Sequence, residues 1–232
     1  MSASDAPPSA PEPEPGFAHS RTYDLAFGAP VALFYAFLVA GTVIRILRQW
    51  PDASSAVAWL TIANESAILL VFGLQAILFL VRRLPVTKTR EIWPRAVAIL
   101  GANFNFTLLL LPHAALGTMW TAVSFGLTIG GAVASVVVLT WLGRAFSVFP
   151  EARRFVDRGP YRFVRHPLFL AEMVSMLGVM LGFRQPWAAM IMAVTIAFQI
   201  RRMDFEEAVL AETFPAYDAY RRKTARLIPG LY

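Results

Sequence analysis

Two groups of charged residues have the types and spacing to do chemistry: Arg165-His166-Pro167, and Arg202 with the pair Glu206-Glu207. Proline at 167 suits the first turn of a helix, where its missing N–H would be unpaired anyway, and it biases His166 toward an extended conformation. Just upstream, Gly159-Pro160 forces a turn. The stretch from Leu142 to Glu172 therefore reads as a polar hook feeding a helix N-terminus, whose free N–H groups and partial positive charge suit a carboxylate or a phosphate. Arg202 and Glu206 stand four apart on one helical face. They are either part of a site or a plain intrahelical ion pair, worth roughly a few tenths of a kcal/mol. Arg165 and His166 equally fit a basic anchor beside a membrane. Glu65, inside an apolar run, is a further candidate, because an ionisable group in hydrocarbon is costly unless paired or facing a polar cavity. A nearby arginine at the interface is its plainer explanation. Asn103, Asn105 and Glu172 pose the same question.

The elements that would carry these residues are membrane helices. The 232 residues are 57% hydrophobic, with a mean hydropathy of +0.55, too apolar for a soluble domain of this size. With no cysteine there is no disulfide, thiolate metal site or cysteine nucleophile, and His19, His113 and His166 lack metal-ligand spacing. The net charge of +6 sits mostly in short loops and the carboxy-terminal tail, which points to topology and anionic-lipid contact rather than nucleic acid.

Residues 1–22 are proline-rich and poor in bulky apolar side chains, and are expected to be a disordered tail without signal-peptide character. Residues 23–142 read as transmembrane helices and residues 143–232 as the catalytic region. Apolar spans are expected near residues 26–47, 57–81, 94–112 and 119–142, then a tight pair at 168–183 and 187–200. The fold class is thus all-α and polytopic, with six membrane segments, or five plus a re-entrant hairpin. Gly126, Gly130 and Ala134 recur every four residues in the fourth span, a small-residue face suited to helix packing. From Arg201 the chain should leave the membrane as an amphipathic helix, broken at Pro215 and followed by a short interfacial piece around Tyr217 and Tyr220. Lys and Arg concentrate between spans two and three and in the hook, so those loops and both termini are expected to face the cytoplasm, with 113–118 and 184–186 on the far side. Arg45 and Arg48 run against that orientation.

The ordered combination Gly159-Pro160-Tyr161-Arg162, Arg165-His166-Pro167, Arg202, Glu206-Glu207 and the ending Tyr217, Tyr220, Leu227-Ile228-Pro229 resembles the carboxy-terminal signature of isoprenylcysteine carboxyl methyltransferases and related bacterial membrane methyltransferases. The resemblance covers about the last 90 residues. It implies S-adenosylmethionine as cofactor, lined by Tyr161, Val164, Arg165, His166 and Leu170, with Arg202 and Glu207 beside the transferred methyl and Glu206 in support. The chain departs from the family in having Phe169 and Ala171 where tyrosine and glycine are frequent, which implies a different acceptor pocket. The function implied is methyl transfer to a lipophilic acceptor that enters from the bilayer, foremost a carboxylate of isoprenylcysteine type. Alternatives are a phospholipid amine, a small lipophilic thiol or acid, a sterol-type reductase using NADPH, and a membrane protein without catalysis. The oligomeric state is left open.

Overall fold

The computed structural model describes residues 21–50, 55–88 and 91–230. The expected tail falls outside this range except for Arg21 and Thr22, which begin the first helix. The chain is mostly helical, in the order α1 Arg21–Gln49, α2 Ala56–Val81, β1 Thr87–Lys88, α3 Ile92–Asn103, a 3-10 segment Phe104–Leu110, α4 Thr118–Leu142, β2 Glu151–Ala152, α5 Pro167–Leu181, α6 Trp187–Thr213 and α7 Tyr217–Lys223. Three helices are long and apolar enough to cross a bilayer: Ala29–Gln49, Ala56–Val81 and Thr118–Ala145. Ser55 caps α2 by accepting a hydrogen bond from the Ala58 N–H.

The expected third span is not one α-helix: it changes at Asn103 from α3 into the 3-10 segment. Asn103 turns its amide back to the Ile99 carbonyl at 2.8 Å, the kind of local bond that loosens a helix. The membrane-exit helix also differs from expectation. Instead of starting afresh near Arg201, α6 runs unbroken for 27 residues, so Arg202, Glu206 and Glu207 ride on a direct extension of the apolar helix. Pro215 follows the end of α6, and α7 forms where the short second piece was expected.

The α4 and α5 helices make the most extensive helix contact, and α1 on α2, α2 on α4 and α3 on α6 complete the layer. The small-residue face in use is offset from the one read in the sequence. Gly126 and Gly130 look onto open space, whereas a Cβ on Gly131 would run into the Ala171 and Ser175 backbone and one on Gly178 into Thr128. Ser124 Oγ donates to the Gly178 carbonyl at 2.7 Å and Ser175 Oγ to the Thr128 carbonyl at 3.1 Å. Such crossed hydroxyl bonds satisfy polar groups where water is absent.

At one end of the layer the loops before α4 and before α6 are joined, with Ala114 N–H on the Gly182 carbonyl and Arg184 N–H on the Pro112 carbonyl. At the other end the α2–α3 loop meets the hook: Arg83 N–H donates to the Arg144 carbonyl at 2.9 Å, Val86 N–H to Ala152 at 2.7 Å, and β1 pairs antiparallel with β2. The basic loops therefore share one end and the weakly charged loops the other. Glu65 has the plainer explanation, pairing with Arg45 at 3.0 Å.

Candidate active site

The hook is shaped by residues whose backbone leaves little choice. Gly159 has φ +62, and a Cβ there would press into the Trp141 ring, so only glycine fits this turn. A 3-10 turn, Gly159–Arg162, follows, then α5 begins at Pro167 with His166 in a non-helical conformation before it. The segment after α7 zips onto this entry. Arg165 N–H donates to the Ala225 carbonyl at 2.8 Å and His166 N–H to the Arg226 carbonyl at 3.1 Å, and Tyr220 Oη donates to the Tyr161 carbonyl at 2.6 Å.

Beneath the hook lies a cleft of about 740 Å³, counting its open mouth, walled by Tyr161, Arg165, His166, Phe169, Arg202, Glu206, Tyr217 and Tyr220 with Glu151, Arg153, Arg154 and Phe155 from the hook. Sequence-named Tyr161, Arg165, His166, Arg202 and Glu206 thus converge on one cavity from positions up to 45 residues apart. Val164 and Leu170 do not line it. Val164 is buried in a bridge to Ala225, and Leu170 packs by Phe169, Met203 and Leu227 and edges a separate apolar groove between α4 and α5.

The two neighbouring carboxylates separate. Glu206 lines the cleft. Glu207 points instead at the hook, where it accepts from Arg165 Nη1 at 2.8 Å, bonds His166 Nε2 at 2.9 Å and pairs with Arg226 Nε at 3.2 Å. Burial opposes ionisation of Glu207, but the His166 bond and the charges of His166, Arg165 and Arg226 outweigh it and hold its carboxyl below the ordinary range. Arg226, which also pairs with Asp204 at 2.5 Å, was not singled out in the sequence. A cation next to the Leu227-Ile228-Pro229 ending was the available signal.

Arg202 is only 6% exposed. Its guanidinium lies over the Phe169 ring at 4.6 Å, and its Nη1 donates to Gln199 Oε1 at 3.4 Å. Among the described residues no carboxylate pairs with it, so the simple ion pair with Glu206 does not form. Burial, and then the charge of Glu206, push the Tyr161 phenol well above its usual value, and burial does the same to Tyr217. Both remain neutral donors at any physiological pH.

The residues fit S-adenosylmethionine. Tyr217 Oη is buried without a hydrogen-bond partner on the cleft wall, an orphan that needs a ligand atom or water. Aromatic rings cluster there, with Phe155 against Tyr217 at 5.8 Å and Tyr220 at 5.2 Å, and Glu206 on the same wall supplies negative charge for a cationic sulfonium.

The phospholipid methyltransferase family model matches residues 112–216, from the loop before α4 to just short of α7. No curated protein matches the chain. That family consists of S-adenosylmethionine-dependent methyltransferases and shares a membrane methyltransferase clan with the isoprenylcysteine carboxyl methyltransferases. The matched segment, just under half of the chain, contains most of the cleft wall, from Leu142 through the hook to Leu210, and over it the chain is similar to membrane methyltransferases of the S-adenosylmethionine-dependent kind.

Proposed function

We propose that the protein methylates a lipophilic acceptor at the hook side of the membrane and that the acceptor presents an anionic group, foremost a carboxylate of isoprenylcysteine type, to Arg202. The observation that carries this reading is the state of Arg202: a buried cation on the cleft wall, seated on Phe169 and, among the described residues, bonded only to a neutral amide. Its rigid fork is matched to a carboxylate or phosphate oxygen pair.

S-adenosylmethionine, when bound, supplies an electrophilic sulfonium methyl. The chain's own contribution is placement. A carboxylate is already a nucleophile at neutral pH and needs no general base, so Arg202 would hold one oxygen and leave the other free to attack in line. Phe169 and Leu168 on the cleft wall would exclude water from the reacting carboxylate. His166, Arg165 and Tyr161 would wall the cofactor, with Glu207 fixing His166 and Arg165 from behind. Val164 and Leu170, assigned to the cofactor by resemblance, would act through the backbone that carries His166 and Phe169. The acceptor's tail would enter laterally from the bilayer, and the cofactor from the cytoplasm. A six-segment topology with a cytoplasmic hook is supported by the shared end of the basic loops and by the apolar first half of α6.

A phospholipid amine is the second reading, favoured by the family model that matches. Its phosphate would take Arg202, and Glu206 on the cleft wall would accept the ammonium proton. Single-turnover methyl transfer across about pH 6 to 9 separates the two. A carboxylate acceptor gives no rise from its own titration, whereas an amine gives a rate that climbs with pH. Arg202→Lys, which keeps charge but loses the fork, should slow transfer in either case without weakening cofactor binding. Normal turnover by that variant would contradict the placement of Arg202 at the acceptor.

A further inference from the structure

The cleft has a direction, set by α6. Arg202, Glu206 and Leu210, one turn apart on that helix, all line it, so its wall extends about 12 Å along α6 at the ordinary helical rise. The next position in the series is Phe214, just past the helix end, and its ring stacks on Phe155 of the hook at 6.1 Å. Phe155 in turn meets Tyr217 and Tyr220 edge-on, at interplanar angles of 78° and 76°. One end of the cleft is thus a buried cation, and the other is walled by the rings of Phe155, Tyr217 and Tyr220.

At the aromatic end one polar group is uncommitted. Tyr217 is 1% exposed, and its Oη has no hydrogen-bond partner among the described residues, whereas the neighbouring Tyr220 Oη is taken up by the Tyr161 carbonyl. Burial keeps the Tyr217 phenol protonated, so it is a neutral donor set among rings. Such a donor suits a flat heterocycle with nitrogen and oxygen acceptors, which gains from being packed between aromatic side chains. It suits poorly a zwitterionic amino-acid group, which would lose its hydration there. With the acceptor anchored at Arg202 the reacting methyl has to lie at the cation end, and the aromatic end is left for a part of the cofactor that does not react.

We propose that Tyr217 recognises the purine nucleoside half of S-adenosylmethionine, its hydroxyl donating to a nitrogen or oxygen of that half beside Phe155 and Tyr220, with the sulfonium directed along α6 toward Glu206 and Arg202. This rests on the reading of the cleft as the S-adenosylmethionine site with the acceptor at Arg202. Tyr217 moves no proton and no methyl group; it is a binding residue that sets which way round the cofactor lies.

The test is calorimetry on the full chain in lipid nanodiscs with two probes, S-adenosylhomocysteine and methylthioadenosine, the second of which keeps the nucleoside and the thioether but lacks the amino-acid group. Tyr217→Phe should weaken both by about threefold to tenfold, the loss expected for one buried hydrogen bond, because the half that it contacts is common to them. The melting temperature without ligand should hold or rise, since the substitution deletes a buried hydroxyl that had no partner. Weakening of S-adenosylhomocysteine alone would put the amino-acid group at Tyr217 and overturn the proposal. Unchanged affinity for both probes would overturn it too, as would weaker binding accompanied by a lower ligand-free melting temperature, the mark of a packing role. Should Tyr217→Phe fail to fold, Phe155→Leu removes a ring of the same wall and is held to the same comparison: equal weakening of both probes supports the placement, selective or absent weakening overturns it. If the native protein binds neither probe, the S-adenosylmethionine reading fails and takes this placement with it, whereas native binding of both with an indifferent Tyr217→Phe removes the nucleoside placement alone.

Discussion

Arg202 and the Glu206-Glu207 pair show how adjacent side chains on one helix take different work. One residue of helix turns the carboxylate by about 100°, enough to send Glu206 into the cleft and Glu207 onto Arg165, His166 and Arg226. Glu207→Gln should then destabilise the detergent-solubilised protein at pH 7 by about 3 kcal/mol, since it leaves partly buried cations without their counter-charge. The pH dependence has a definite sign. Because the folded protein holds the Glu207 carboxyl below its ordinary value of 4.5, its contribution is fully present above that value and is lost as pH falls through the lower folded value. The melting temperature of the native protein should drop more steeply below about pH 4.5 than that of Glu207→Gln. His166→Ala should weaken S-adenosylhomocysteine binding by calorimetry while the protein remains folded, and unchanged affinity would remove His166 from the cofactor wall. The five cleft residues were legible in the sequence because their order along the chain is specific. Which of two adjacent glutamates faces inward was not, since that depends on the rotational phase of α6, in which Met203 and Gln199 are buried.

At the scale of elements, helix ends were readable and helix faces were not. Pro167 at the start of α5 and the stop at Pro215 are local chemistry, and the structure keeps both. The face of α4 that meets α5 is decided by a partner 47 residues away, and the four-residue repeat of Gly126, Gly130 and Ala134 did not identify it. This difference makes a clean prediction. Gly→Ala in an exposed helix interior gains up to about 1 kcal/mol, so Gly126→Ala and Gly130→Ala should hold or raise the melting temperature. Gly131→Ala and Gly178→Ala push a methyl into facing backbone and should cost about 1–3 kcal/mol, read as a lower melting temperature in the same detergent. Likewise the continuity of α6 could not be read from Arg201 onward, because the shift from apolar to amphipathic pattern looks the same whether or not the helix breaks.

At the scale of the whole molecule, loop charge and loop pairing agree: the basic α2–α3 loop and the hook are bonded to each other, and the nearly uncharged loops before α4 and α6 to one another. Since the sequence has no cysteine, a single cysteine at Gly117 and another at Lys223 should label from opposite faces of intact cells; labelling from one face would refute the shared-end topology. Which loops share an end was legible, because it follows summed charge. The acceptor was not, because any lipid would meet the same apolar walls and only the cleft's few polar groups discriminate. The most direct test of the central claim is methyl transfer itself: purified protein incubated with S-adenosylmethionine carrying a labelled methyl and a membrane lipid extract, with S-adenosylhomocysteine or NADPH as competitor. The account predicts label in an organic-extractable product, suppressed by S-adenosylhomocysteine, untouched by NADPH and formed more slowly by Arg202→Lys. Absence of transfer together with saturable NADPH binding would contradict it and favour a reductase.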